Sequence, residues 1–168
     1  MSLAFQHLRQ VMASYTEISD ATWQQFKVCC SLKTLNKGEI LYQLGSTPTC
    51  FAFLHQGLMR AYLNDEQGKE YNKYFFSEGR FPGCMSALLK NEPSFLAIEA
   101  IDESQVVEIN FRQFRTLLNQ NIELMRFQIN YLETHWLLEK EPKEIGYLQF
   151  EAKDRYLTFL DDCVRSLL

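Results

Sequence analysis

The amino-acid sequence predicts a mixed fold: a small antiparallel β-roll of jelly-roll type, with N-terminal helices before it and a long helix after it. Three observations carry that expectation. Between Leu32 and Ile109, short β-rich runs are broken by Gly38, Gly45, Gly57, Gly68 and Gly79, about every 7–12 residues, the rhythm of an antiparallel sandwich or barrel. On both sides of this region the apolar period lengthens to that of a helix. The chain of 168 residues is 46% hydrophobic, with 13 Phe, 8 Tyr and only 4 Pro, so it can bury one substantial core.

Residues 1–30 are expected to form N-terminal helices. Leu3, Leu8, Val11 and Met12 make one stripe, and SDATWQQFKVCC opens with Ser19 or Asp20 as a cap. Residues 31–110 form the β-roll. Within it FLHQGLMRAYL reads as a tight hairpin about Gln56-Gly57, and NDEQG as a longer turn in which Gly68 supplies a positive φ. Residues 111–148 hold a short helix and a long one. Asn110 caps the first, whose inner face is Phe111, Phe114, Leu117 and Leu118. Along the second, Ile122, Met125, Ile129, Leu132 and Trp136 form a seam of coiled-coil spacing, beside a stripe of Leu124, Phe127, Tyr131 and Leu138. One stripe can dock on the β-roll and the other needs a partner, for which the same helix of a second chain is the simplest choice. A helix sandwiched within one monomer is the alternative. Pro142 ends or kinks this helix, and residues 149–168 form a final one.

The net charge of −4 offers no general attraction to phosphate backbones. No apolar run reaches the roughly 20 residues a bilayer needs, so a soluble protein without membrane contact is expected. Cys29, Cys30, Cys50, Cys84 and Cys163 lack C-x-x-C spacing; buried thiols in a reducing cytoplasm are expected, with neither disulfides, metal nor cofactor.

The stretch RFPGCMSALLKNEPSFLAIEA, Arg80 to Ala100, reads as a turn, one short helix and the start of a strand. It is shaped to close over something small, yet its interior carries no charge. With LNKGEILYQLG, FLHQGLMRAYLNDEQGKEY, SEGRFPG, IEAIDESQVVEIN and the long helix, all in order over roughly residues 30–140, it resembles the cyclic-nucleotide-binding domain of the Crp–Fnr transcription regulators. EAKDRYLTFL resembles the first helix of that family's DNA-binding domain. The resemblance implies a double-stranded β-roll that senses an effector, a homodimer through the long helix, and DNA contact through a C-terminal helix-turn-helix. The expectation is a regulator from which that last module is missing, since no recognition helix follows residues 149–168.

In family members that bind cyclic AMP, the segment after Gly83 carries a Glu for the ribose and an Arg for the phosphate. Here those positions hold Cys84 and Ser94, followed by Phe95 and Leu96. A buried phosphate requires a paired charge, and removing one partner costs roughly 3–5 kcal/mol, about two to three and a half decades of affinity. Gly83, Cys84, Ser94, Phe95 and Leu96 are therefore candidate pocket residues of a degenerate site, either plugged or suited to an uncharged effector. His135, on the long helix, lies where the resemblance implies contact with the effector's base; an interface histidine satisfied by its neighbours is the alternative. Arg60, Lys73, Arg80 and Lys90 are candidate replacement cations that more simply read as surface charges.

A cupin-like metal enzyme is disfavoured, because His7, His55 and His135 are far apart in sequence and no nucleophile or phosphate-loop motif is present. No catalytic residue is assigned. A stand-alone dimeric module that binds a small molecule or protein, without a DNA role, is the second alternative.

Overall fold

A computed structural model describes residues 2–141 and 145. The elements run α1 (Leu3–Tyr15), α2 (Asp20–Lys27), β1 (Cys30–Leu35), β2 (Ile40–Tyr42), β3 (Cys50–Gln56), β4 (Met59–Asn64), β5 (Glu70–Phe76), α3 (Met85–Lys90), β6 (Ala97–Ala100), β7 (Ser104–Asn110), α4 (Phe111–Leu118) and α5 (Ile122–Leu132). A π-helical segment, Glu133–Leu138, continues α5. The chain divides into two compact units at Arg126 and Phe127.

In the first unit the strands form two antiparallel sheets, ordered β1-β7-β3 and β2-β6-β4-β5. Leu35, Leu54, Met59, Ala61, Ile98, Ala100 and Val106 fill the space between them. The run Phe51–Leu54 is buried throughout, because β3 is covered on both faces. Ala52 and Leu54 join the core inside the roll, whereas Phe51 packs edge-on against Phe114, and Phe53 against His7 of α1. Full burial of such a Phe stabilises by about 1.5–3 kcal/mol. The segment before α3 runs beside β3: Ala52 N–H donates to the Pro82 carbonyl and Leu54 N–H to that of Arg80, both at 2.9 Å.

Several expected features are present where local chemistry dictates them. Ser19 caps α2, its hydroxyl accepting from Thr22 N–H at 3.3 Å, and Asn110 caps α4, accepting from Gln113 N–H at 3.0 Å. Gly68 has φ +80 in the turn joining β4 to β5. Phe114 and Leu118 are buried on α4, with Phe111 and Leu117 partly so.

Other features differ. The turn at Gln56-Gly57 does not close a hairpin, because β3 and β4 belong to different sheets. It is a corner at which the chain changes sheets. Gly57 takes φ +107, and an added Cβ would lie 2.7 Å from the Glu103 carbonyl oxygen, so only glycine fits both the angle and the space. Leu3, the first residue of α1, is 73% exposed; Ala4 is buried with Leu8 and Met12 instead. On the long helix Leu124 and Phe127 are buried as expected, but Leu138 is exposed, lying where the helix has widened into the π-helical segment. There the Thr134 hydroxyl donates to the Asn130 carbonyl at 2.8 Å, competing for the acceptor an α-helix would use. Pro142 and the expected final helix at 149–168, with Cys163, lie outside the described residues.

Candidate functional site

The stretch from Arg80 to Ala100 folds as a turn, the short helix α3 and the start of β6. Its glycine is sterically required: a Cβ at Gly83 would approach that of Phe51 to 2.8 Å and the Tyr42 hydroxyl to 3.4 Å. Tyr42 secures the turn from below, donating its hydroxyl to the Pro82 carbonyl at 3.2 Å. Asn91, in left-handed conformation, ends α3.

Inside this cradle the side chains satisfy one another. Cys84 and Leu96 belong to the hydrophobic core between the sheets. Ser94 is buried, and its hydroxyl donates to the Leu96 carbonyl at 2.6 Å while accepting from Leu96 N–H at 3.1 Å. Its backbone pairs with the Gly45–Ser46 turn, donating to the Ser46 carbonyl at 2.8 Å and accepting from Gly45 N–H at 2.7 Å. Burial alone would push the Cys84 thiol up. Hydrogen bonds from Ser94, Ser86 and the Ala87 N–H, with the charge of Lys73, bring it below its ordinary value instead. Phe95 turns outward and is 54% exposed.

Of the candidate cations, Lys73 faces this region. Its ammonium stands 5.3 Å from the Phe95 ring centroid and acts on Cys84. The cause is a β-bulge: Tyr74 pairs with Ala61 and Asn72 with Tyr62, leaving Lys73 as the extra residue, which redirects its side chain. Arg60 is engaged elsewhere, with Glu99 and Glu70 each at 2.7 Å and Asn72 at 3.0 Å, beside an open cleft of about 330 Å³ that Lys37, Asn72 and Phe75 also line. Arg80 donates to the Tyr74 hydroxyl at 2.8 Å, and Lys90 is an exposed charge near Glu92.

His135 belongs to the second unit. Its Nδ1 lies 2.8 Å from Glu139 Oε1, and its ring packs at a tilt against Tyr131, with centroids 4.5 Å apart. The seam residues Ile122, Ile129, Leu132 and Trp136 are exposed, at 57%, 53%, 39% and 52%, and Met125 is partly so.

Two groupings escaped sequence reasoning, because each joins residues distant along the chain. His7 and His55 meet with their Nδ1 atoms 3.0 Å apart. At one end of the roll, Lys33 and Cys50 converge on the Glu108 carboxylate, at 3.4 and 3.8 Å, and burial, then the Glu108 charge, pushes the Cys50 thiol up to about 11. Burial likewise pushes Cys30 up to about 12. These thiols are protonated at neutral pH. Among the described residues no three metal-ligating side chains converge, and no helix is long and apolar enough to cross a membrane.

Comparison with known proteins places this geometry. Residues 32–121 match the family described as the cyclic nucleotide-binding domain. The cAMP-activated global transcriptional regulator CRP of Escherichia coli O157:H7 is 23% identical over 133 residues, which cover 79% of this chain and 62% of that protein. The chain thus spans less than two thirds of the length of the curated relatives it matches. Among solved structures, DNR from Pseudomonas aeruginosa superposes with a TM-score of 0.68 at 19% identity, covering 88% of this chain and 64% of that one. The DNR sensor domain alone gives 0.65 at 18% identity over 82% and 93%. The Thermus thermophilus catabolite activator protein gives 0.63 at 11% identity over 80% and 62%. The architecture is therefore the CRP-like β-roll, and the chain belongs to the cyclic nucleotide-binding domain family, with Crp–Fnr-type regulators among its homologues.

Proposed function

We propose that this chain is the effector-sensing and dimerisation part of a Crp–Fnr-like transcription regulator whose nucleotide cradle has closed on its own side chains. Residues 1–30 cover the roll, residues 31–110 form the sensor, residues 111–148 carry the dimer helix, and DNA is contacted by a further C-terminal domain. The protein acts in the cytoplasm, as a homodimer and without catalysis. The cradle responds to an uncharged small molecule, or serves as a rigid mount for the dimer helix.

The observation that supports the closed cradle is the Ser94 hydroxyl. At the position where a phosphate-pairing guanidinium is expected stands a buried hydroxyl that donates to the Leu96 carbonyl and accepts from Leu96 N–H. A phosphate placed there meets Cys84 and Leu96, both packed in the core, and Lys73, whose charge acts on Cys84, stands exposed on a strand. A single exposed ammonium does not replace a buried bidentate pair. In mechanism, an effector or partner that prefers one of two dimer arrangements biases the orientation of the DNA-binding heads by its differential affinity for the two.

Isothermal titration of the purified chain with cyclic AMP and cyclic GMP tests the reading. No saturable heat in the micromolar range is expected. Micromolar binding of either nucleotide, abolished by Lys73→Ala, would show that the clamp has been rebuilt and the reading is wrong.

A further inference from the structure

His7 lies on α1 and His55 near the end of β3, 48 residues apart in sequence. Their Nδ1 atoms stand 3.0 Å apart and their ring centroids 5.2 Å apart. Two nitrogens bound to one ion at about 2.0–2.1 Å, in tetrahedral or octahedral geometry, lie roughly 2.9–3.4 Å from each other. The pair already has that bite. One Nδ1 carries the proton of this hydrogen bond; moving that proton to Nε2 and rotating the rings would direct two Nδ1 lone pairs to one point.

The strand is shaped to produce this meeting. Leu54 pairs with Val106 and Gln56 with Gln105, so His55 is the extra residue of a β-bulge, a device that re-aims one side chain and gathers near functional sites. Both histidines are half-buried, and the His7 ring is braced edge-on by Phe53 at 5.1 Å. Glu78, whose charge acts on His55, accepts from Gly57 N–H at 3.1 Å.

We propose that His7 and His55 form a two-imidazole site for a divalent transition-metal ion of the nickel, copper and zinc class, which fastens α1 to β3. Imidazole suits these ions, and water completes the coordination shell while the Glu78 carboxylate balances its charge. Because no third ligating side chain converges there among the described residues, the site is open and exchangeable rather than a structural cage. The site is independent of the sensor reading, since it lies on the helix-covered face of β3 and uses no cradle residue.

Titration of the untagged full chain with nickel(II) chloride, followed by calorimetry, tests the site. His7→Asn and His55→Asn keep a hydrogen-bonding group where Nδ1 stood but remove the metal ligand, so the fold survives and thermal melts confirm it. One ion per chain is expected to bind the native protein. Each Asn variant should weaken it by at least the roughly 10- to 100-fold that loss of a supporting partner alone costs, and His135→Asn should leave it unchanged. The proposal is overturned if the native chain takes up no nickel at about millimolar concentration, where binding is already marginal. It is equally overturned if affinity is the same in the His7 and His55 variants, or if it follows His135.

Discussion

The Ser94 hydroxyl and the Leu96 backbone close on each other, the hydroxyl donating at 2.6 Å and accepting at 3.1 Å, between α3 and β6. Ser94 thereby satisfies both polar groups of the Leu96 backbone. Ser94→Ala should cost about 1–3 kcal/mol, because Leu96 N–H loses its partner in a buried place. A urea-unfolding midpoint measures this. A native-like midpoint would show the contact to be dispensable and the cradle freer than it looks.

Two glycines are held by different constraints, and their alanine variants should rank accordingly. Gly83→Ala brings a methyl to 2.8 Å from the Phe51 Cβ at an ordinary backbone angle, an overpacking penalty of about 1–3 kcal/mol. Gly57→Ala meets the Glu103 carbonyl oxygen at 2.7 Å and also needs φ +107, so both strain and crowding oppose it. Expression yield and denaturation should show the Gly57 variant as the more damaged of the two. The reverse order would mean that the corner between sheets can relax.

Stability should fall as the pH drops below about 6.5. Burial and the neighbouring His7 hold His55 below its ordinary value, with Glu78 partly opposing. The unfolded chain takes up the proton first, so this stabilisation is complete above the unfolded value and is lost as pH falls through the folded one. Thermal melts across that range, with chelator present to exclude metal, should show a slope that His55→Asn flattens. An unchanged slope would place the acid sensitivity elsewhere.

Ile129 on α5 and Trp136 in the π-helical segment are apolar side chains each about half exposed. Replacing both with Glu should convert a dimer to a monomer in sedimentation velocity while leaving the circular dichroism intact. A native chain that stays monomeric at moderate concentration would exclude the seam as an isologous interface.

Much of the fold was legible because its signals are local. Ser19 and Asn110 cap their helices through bonds spanning three residues, and Gly68 sits in a turn whose angle it alone suits. The expected hairpin at Gly57 failed because a short glycine turn looks the same whether the next strand pairs with the last or crosses to another sheet. The π-helical widening at Glu133–Leu138 was equally hidden, since Thr134 carries no sign of whether its hydroxyl will take the Asn130 carbonyl.

The sequence by itself determined the order of helices and strands, the uncharged cradle of Cys84, Ser94 and Leu96, and the apolar seam from Ile122 to Trp136. Tertiary structure alone decided that Lys73 and not Arg60 faces Phe95, and that His55 reaches His7. In both cases the reason is a β-bulge. One extra residue in a strand breaks the twofold alternation from which facing is inferred, and its position depends on the register against a partner strand far away in the chain.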